Sequence, residues 1–303
     1  MMRAALLYLS EQSWLRQWVE DSPLSLRLTS RFVAGRRLDQ ALAVSRRLEA
    51  EKIFVSLDYL GEHVHTVEEA NATLDRYLDL LGSLSALSSG PTVSIKLSQF
   101  GLDLAPALCR NNVARLVERA RDSGTRVEID MEASPTTDAT LDIVRDMHAR
   151  FGSVRAVIQA YLRRSEADIE RLNRERVPVR LCKGAYKEPP AAAFQKKTEV
   201  DANYIRLMKQ LLDDGAYPAL ASHDGAIVGE ALRHVRERGY DAGRFEFQML
   251  YGIRRDLQRM LVGQGYRLRL YVPFGDAWYP YFMRRLAERP ANLLFLARNL
   301  LRG

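Results

Sequence analysis

Short apolar runs and helical stripes alternate along most of this chain. Strand-like runs fall at 52–58, 92–98, 126–131, 154–161, 177–183, 219–223, 245–250 and 268–272. Between them, apolar residues return at helical spacing. Val67, Ala70, Leu74, Tyr77, Leu78 and Leu81 make one face; Val113, Leu116, Val117 and Ala120 a second; Leu141, Val144, Met147 and Phe151 a third. Later faces carry Tyr204, Met208 and Leu211, then Ile227, Ala231 and Val235, then Leu257, Met260 and Leu261. Thr66-x-x-Glu69 reads as a capping box and Ser165-x-x-Asp168 as a helix start. Gly124, Gly152, Gly215 and Gly239 read as helix ends. Residues 1–50 read as a helical segment, with Phe32, Val33, Leu38, Ala41, Leu42 and Leu48 at helical spacing.

Eight strands in alternation with helices predict an α/β fold, a (βα)8 barrel, of roughly the 250 residues usual for that architecture. A doubly wound open sheet is the rival. Its Gly-rich turn after the first strand is missing here, where the run is Asp58-Tyr59-Leu60-Gly61-Glu62. The organisation expected is one barrel domain over 1–303: a helical segment at 1–50, barrel and capping helix at 51–291, and an amphipathic tail at 292–303.

The chain has 303 residues, is 47% hydrophobic and carries a net charge of +7. The basic surface fits an anionic ligand or a membrane surface. Its arginines are scattered along helical faces without interleaved aromatics, which argues against nucleic acid. Two cysteines, Cys109 and Cys182, are too few for a disulfide framework and point to a reducing, cytoplasmic compartment. No run has the uninterrupted apolar length of a membrane span.

A barrel places its chemistry at the C-terminal ends of its strands. Those ends carry Asp58, Lys96, Asp130, Gln159, Arg180 with Lys183, His223, Gln248 and Tyr271. The fifth run, Val179-Arg180-Leu181-Cys182-Lys183-Gly184, shows the expected pattern: apolar residues fill the core and polar ones appear only where the strand emerges. Each has a structural reading too: Asp58 as a cap, Lys96 with Asp130 as an ion pair, His223 as a satisfied core histidine. A metal site is not expected, because His63-Val64-His65 is followed by strand ends without a ligand cluster. Lys183 is a candidate Schiff-base lysine, as in barrel lyases. Near the C-terminus, Tyr281, Arg285 and Glu288 share one helix face, and the Arg284-Arg285 pair suits a small carboxylate.

Six ordered motifs carry a resemblance that runs from about Arg46 to Ala291. They are Ser94-Ile95-Lys96-Leu97-Ser98, Ile129-Asp130-Met131-Glu132, Val157-Ile158-Gln159-Ala160-Tyr161-Leu162, Arg180-Leu181-Cys182-Lys183-Gly184-Ala185-Tyr186, Phe245-Glu246-Phe247-Gln248-Met249-Leu250-Tyr251-Gly252 and Tyr281-x-x-Arg284-Arg285-x-x-Glu288. The chain resembles the proline dehydrogenases, both the short monofunctional bacterial form and the matching domain of bifunctional proline utilisation enzymes. The resemblance implies a distorted barrel that binds FAD non-covalently and oxidises L-proline to 1-pyrroline-5-carboxylate. It implies a membrane quinone as electron acceptor, peripheral contact with the inner face of the membrane, and a functional link to pyrroline-5-carboxylate dehydrogenase. By motif, Asp130 and Arg180 match active-site positions. Lys96, Tyr271, Tyr281, Arg284 and Arg285 match substrate contacts. Met131, Gln159, Lys183, Gly184, Ala185, Ser222, His223 and Glu288 match cofactor-contact positions. One departure stands out: the family has Thr-His-Asn where this chain has Ser222-His223-Asp224, which replaces an amide by a charge.

Overall fold

The computed structural model describes residues 30–61, 64–84, 87, 89–279, 281 and 283. Eight parallel strands close into a barrel in sequence order, β1 against β8. They are β1 (Phe54–Tyr59), β2 (Thr92–Lys96), β3 (Arg126–Asp130), β4 (Val154–Gln159), β5 (Val179–Cys182), β6 (Ala219–Ala221), β7 (Glu246–Leu250) and β8 (Leu268–Phe274). The helices are α1 (Leu38–Ala50), α2 (Val67–Leu84), α3 (Pro106–Asp122), α4 (Thr137–Phe151), α5 (Ser165–Arg174), α6 (Lys197–Asp214), α7 (Gly225–Arg238) and α8 (Arg255–Gly263). Each expected strand is present, trimmed at one or both ends, except that β1 runs one residue further, to Tyr59, and β8 continues through Pro273 to Phe274.

Several local expectations are revised. Residues 32–35 are not helical; Ala34 N donates to Pro273 O and Gly275 N donates to Gly35 O, so the segment runs beside the end of β8. Thr66 does cap α2, its Oγ accepting from Glu69 N, but Glu69 returns its bond to His65 N instead of Thr66 N. Ser165 does open α5 as expected, as the first residue after Arg164, with its hydroxyl donating to Gln159 O. Gly124, Gly152 and Gly239 take the left-handed conformation that ends a helix, whereas Gly215 is extended.

The larger revision concerns the lumen. Strand side chains alternate between faces. The outward set here is apolar: Val55 and Leu57, Val93 and Ile95, Val127 and Ile129, Phe247 and Met249, all buried. The inward set carries charged and polar residues along the full height, not only at the strand ends, beside the apolar Phe54, Val157, Ala219 and Ala221. At the floor, Glu246 accepts from Arg155 Nη1 at 2.6 Å and from Arg269 Nε at 3.0 Å. Above it, Glu128 accepts from Arg155 Nη1 at 3.0 Å, Thr92 Oγ1 at 3.0 Å and Gln248 Nε2 at 3.3 Å, and pairs with Arg180. Arg180 also donates to Ser94 Oγ at 2.8 Å and Asp130 Oδ1 at 2.8 Å. Lys96 then joins Asp130 to Asp58. Four acids (Glu246, Glu128, Asp130, Asp58) thus alternate with four cations (Arg269, Arg155, Arg180, Lys96). An unpaired buried charge costs several kcal/mol, so the alternation is what makes a charged lumen tolerable.

Burial raises the Glu128 carboxyl, but Arg180 and Arg155 overcome it and bring it down to about 2. Glu246 is held well below its ordinary range because Arg269 and Arg155 outweigh its burial. A carboxyl depressed in the folded state supplies stability that is present above its unfolded value, near 4.5, and lost as pH falls through about 2. Urea unfolding should therefore weaken by ~2 kcal/mol or more between about pH 6 and about pH 3, with a flatter slope in Glu128→Gln. Equal slopes in the two proteins would show that Glu128 is not held this way.

Candidate active site

The upper rim of the lumen is built by alternation. Two residues beyond Ser94, Glu128 and Arg269 on their strands come Lys96, Asp130 and Tyr271, and the β2–β3 register sets Lys96 beside Asp130. Lys96 Nζ donates to Asp58 Oδ1 at 3.1 Å, Tyr271 Oη at 3.2 Å and Asp130 Oδ2 at 3.3 Å. Tyr271 Oη donates to the same Asp130 Oδ2 at 2.9 Å. The Tyr271 ring lies between two cations: Lys96 Nζ is 5.9 Å and the Arg180 guanidinium 5.4 Å from its centroid. Asp130 is thereby shared by Lys96, Arg180 and Tyr271. The structural reading of Lys96 with Asp130 as an ion pair is realised, inside the candidate site.

Electrostatics follow from burial and these partners. Burial opposes the Lys96 charge, but Asp58, Tyr271 and Asp130 raise it well above its ordinary value. Burial likewise opposes Arg180, and Glu128 and Asp130 raise it. Burial pushes the Asp58 carboxyl up, with Lys96 pulling against it, and its Oδ2 makes no hydrogen bond. The rim therefore presents two permanent cations on a neutralised base. Lys96 keeps 29% of its side chain exposed, and Arg180 5%.

Beside this group, Gln159 ties β4 to its neighbours. Its Nε2 donates to Met131 O at 3.3 Å and Glu132 O at 2.8 Å, while its Oε1 accepts from Ala185 N at 3.3 Å. Gly184 has φ +117°, and a Cβ there would lie 2.2 Å from Tyr161 Cδ1, so only glycine lets the chain leave β5 on this path. Lys183 Nζ donates to Asp201 Oδ1 at 2.5 Å and Asp224 Oδ2 at 3.0 Å. It stands as a salt-bridged cation, which does not favour the Schiff-base reading. Ser222 Oγ accepts from Asp224 N at 3.1 Å, and His223 Nε2 accepts from Leu250 N at 2.8 Å, which puts the ring proton of neutral His223 on Nδ1. Tyr281 is buried in a cluster with Phe32, Leu60, Ile253 and Trp278. Arg284, Arg285, Glu288, His63 and the tail 292–303 lie outside the described residues.

Three expected positions shift. Arg180 is the second residue of β5, Gln248 the third of β7 and Tyr271 the fourth of β8, so all three stand short of their strand ends, and Arg180 and Tyr271 reach the rim group from below. The residue reading also passed over Glu128, which grips Arg180, and Asp201, which grips Lys183. Glu128 was legible two positions before Asp130 on the same strand face. Asp201 is half-buried in the first turns of α6, and no local spacing marks it. Glu132, which accepts from Ser98 N and Oγ at 2.9 and 2.6 Å, and Glu188, which accepts from Ser134, brace the loops above.

Fold and site together define a (βα)8 barrel of the enzyme type, whose rim offers cations held by buried carboxylates. Comparison with known proteins narrows this class. The family model for proline dehydrogenase matches residues 41–298. The chain is 38% identical to proline dehydrogenase of Deinococcus radiodurans, over 99% of this chain and 98% of that one. It is 37% identical to proline dehydrogenase 1 of Bacillus subtilis over the full length of both. Among solved structures, proline utilization A from Bdellovibrio bacteriovorus, inactivated by N-propargylglycine, superposes with a TM-score of 0.81 at 26% identity. That match covers 87% of this chain and 33% of the longer protein. The chain belongs to the proline dehydrogenase family.

Gly184→Ala should cost about 2 kcal/mol of stability, since left-handed strain and the clash with Tyr161 add. Combined with Tyr161→Ala, the change should be non-additive by about 1 kcal/mol in chemical denaturation. Strict additivity would mean that Gly184 and Tyr161 do not share one constraint.

Proposed function

We propose that this chain is an FAD-dependent L-proline dehydrogenase that forms 1-pyrroline-5-carboxylate and passes its electrons to a membrane quinone. The observation that carries this reading is the coincidence of family membership with an intact Arg180–Asp130–Lys96–Tyr271 group at the barrel rim. A small-molecule site of this kind needs a few fixed polar groups on a rigid scaffold, and these are fixed from below.

The donor set fits the cofactor. Arg180 on β5 and Lys183 just past it are cations suited to an anionic dinucleotide and its reduced ring, and Gly184, Ala185, His223, Ser222, Gln159 and Met131 match cofactor-contact positions by motif. We assign those positions, with Glu288, to FAD. When bound, FAD supplies the two-electron acceptor for the hydride that leaves the proline carbon next to nitrogen. The chain's own residues do the rest. Arg284 and Arg285 hold the proline carboxylate bidentately, and Lys96 adds charge on the same side. Tyr271 and Tyr281 pack on the pyrrolidine ring. Hydride loss from the neutral amine builds positive charge on nitrogen, which the Asp130 carboxylate and the Tyr271 ring face stabilise, and the remaining nitrogen proton then passes to solvent. Arg180 stabilises negative charge on the accepting side. Asp130 is the hinge of this division, because it orients Lys96 and Arg180 at once.

We read the chain as one barrel domain, working in the cytoplasm at the inner face of the membrane. Among the described residues no helix is long and apolar enough to cross a bilayer. The 292–303 run is amphipathic and basic, which suits a helix lying on an anionic surface. The product is the substrate of a pyrroline-5-carboxylate dehydrogenase, the expected functional partner.

The test is a visible spectrum of the purified protein without oxygen. A flavin band that bleaches with L-proline and persists with D-proline is the expected result. A flavin that stays oxidised with both would overturn the substrate, and a protein that neither carries nor takes up FAD would overturn the cofactor.

A further inference from the structure

The rim carries a second charged group, separate from Lys96 and Asp130. Lys183, just past β5, and Lys197, at the start of α6, face Asp201 of α6 and Asp224, the residue before α7. Lys183 Nζ donates to both carboxylates, at 2.5 Å to Asp201 Oδ1 and 3.0 Å to Asp224 Oδ2. Lys197 pairs with Asp201 Oδ2 and lies 3.6 Å from Asp224 Oδ2. The two lysines and two aspartates sum to zero charge. Hydrogen bonds from Lys183 hold the Asp224 carboxyl below its ordinary range, and Asp201 is likewise lowered by Lys183 and Lys197 against its partial burial. Both acids are therefore anions at neutral pH.

The two aspartates are not equivalent. Asp201 has a hydrogen-bonded lysine on each oxygen. Asp224 has Lys183 on Oδ2, while its Oδ1 accepts from Ala226 N at 3.1 Å and caps α7. Lys197 reaches Asp224 only at ion-pair distance. Asp224 is thus the less compensated carboxylate, and its cap is one that an amide oxygen makes equally well. An ammonium has three donors; Asp201 and Asp224 engage two of those on Lys183.

We propose that Asp224 is an electrostatic brake on cofactor binding: it competes with the FAD pyrophosphate for the Lys183 ammonium and repels the phosphates from the rim. This rests on the assignment of Lys183 to FAD made above. The residue sets how tightly the flavin is held, and Lys197 tempers it by sharing the same carboxylate oxygen.

The experiment is a titration of the full chain, stripped of flavin, with FAD and in parallel with riboflavin, which has the ring and no phosphate. For a partly exposed carboxylate, Asp224→Asn should tighten FAD by roughly threefold to tenfold. Riboflavin affinity should not move, and the FAD gain should shrink as salt is added. Lys197→Ala should weaken FAD by a similar factor and leave riboflavin alone. Unchanged or weaker FAD binding by folded Asp224→Asn overturns the proposal, as does an equal gain for riboflavin. If Asp224→Asn does not fold, Lys197→Ala decides: FAD binding at the wild-type level overturns the brake. Failure of the wild-type chain to bind FAD is a different result; it removes the cofactor reading first and this inference with it.

Discussion

The structure depends on the alternation of buried charges in the barrel lumen. Interiors of such barrels are ordinarily filled with branched aliphatic side chains. Here Arg269, Glu246, Arg155, Glu128, Arg180, Asp130, Lys96 and Asp58 follow one another from floor to rim. Replacing such a network by packed hydrophobic residues is often neutral or better for stability. Its presence therefore asks for another reason than stability. The reason visible in the geometry is that the rim inherits a fixed arrangement of cations. Arg180 is held by Glu128, Ser94 and Asp130, so its guanidinium has little freedom left.

This arrangement divides labour between the two strand faces. Outward apolar residues bind the helices, and their packing closes the barrel. Inward polar residues specify register, because a one-residue slip would turn charges against the helices and apolar groups into the lumen. The site thus shares its groups with the folding code: Arg180 and Asp130 belong to both the ladder and the rim. On the neighbouring strands the rim is less constrained. Lys183, Asp201 and Asp224 are partly exposed and Lys197 largely so, and there charge balance constrains the fold less than it does in the lumen.

The barrel was legible because each strand is a compact apolar run and each helix a regular stripe. Asp58, Lys96 and Asp130 were legible because the barrel rule points to strand ends; Tyr271 looked terminal only because β8 continues through Pro273 to Phe274. Strand ends were misjudged where an irregular bond took over, as at Ser98, whose N–H and hydroxyl turn to Glu132. The polar lumen was not read, although Thr92-x-Ser94-x-Lys96 and Glu128-x-Asp130 alternate with apolar residues in plain sight. Alternation says that two faces differ; it does not say which faces inward, and the usual expectation puts apolar residues inside. The partners of Glu128 come from β2, β4, β5 and β7, pairings that no local spacing encodes. The 32–35 segment departs from its helical spacing for a related reason, since Ala34 and Gly35 bond to Pro273 and Gly275, distant in the chain.

The central claim is that Arg180 links the buried ladder to the chemistry. The direct measurement is the rate at which L-proline reduces bound flavin in a single anaerobic turnover, in wild type and in Arg180→Lys. Lysine keeps the charge but cannot hold Glu128, Ser94 and Asp130 together in a planar fork. The account predicts a rate lower by about 10²-fold with FAD still bound. A wild-type rate in Arg180→Lys would contradict it, and would reduce the ladder to a structural feature with no part in the reaction.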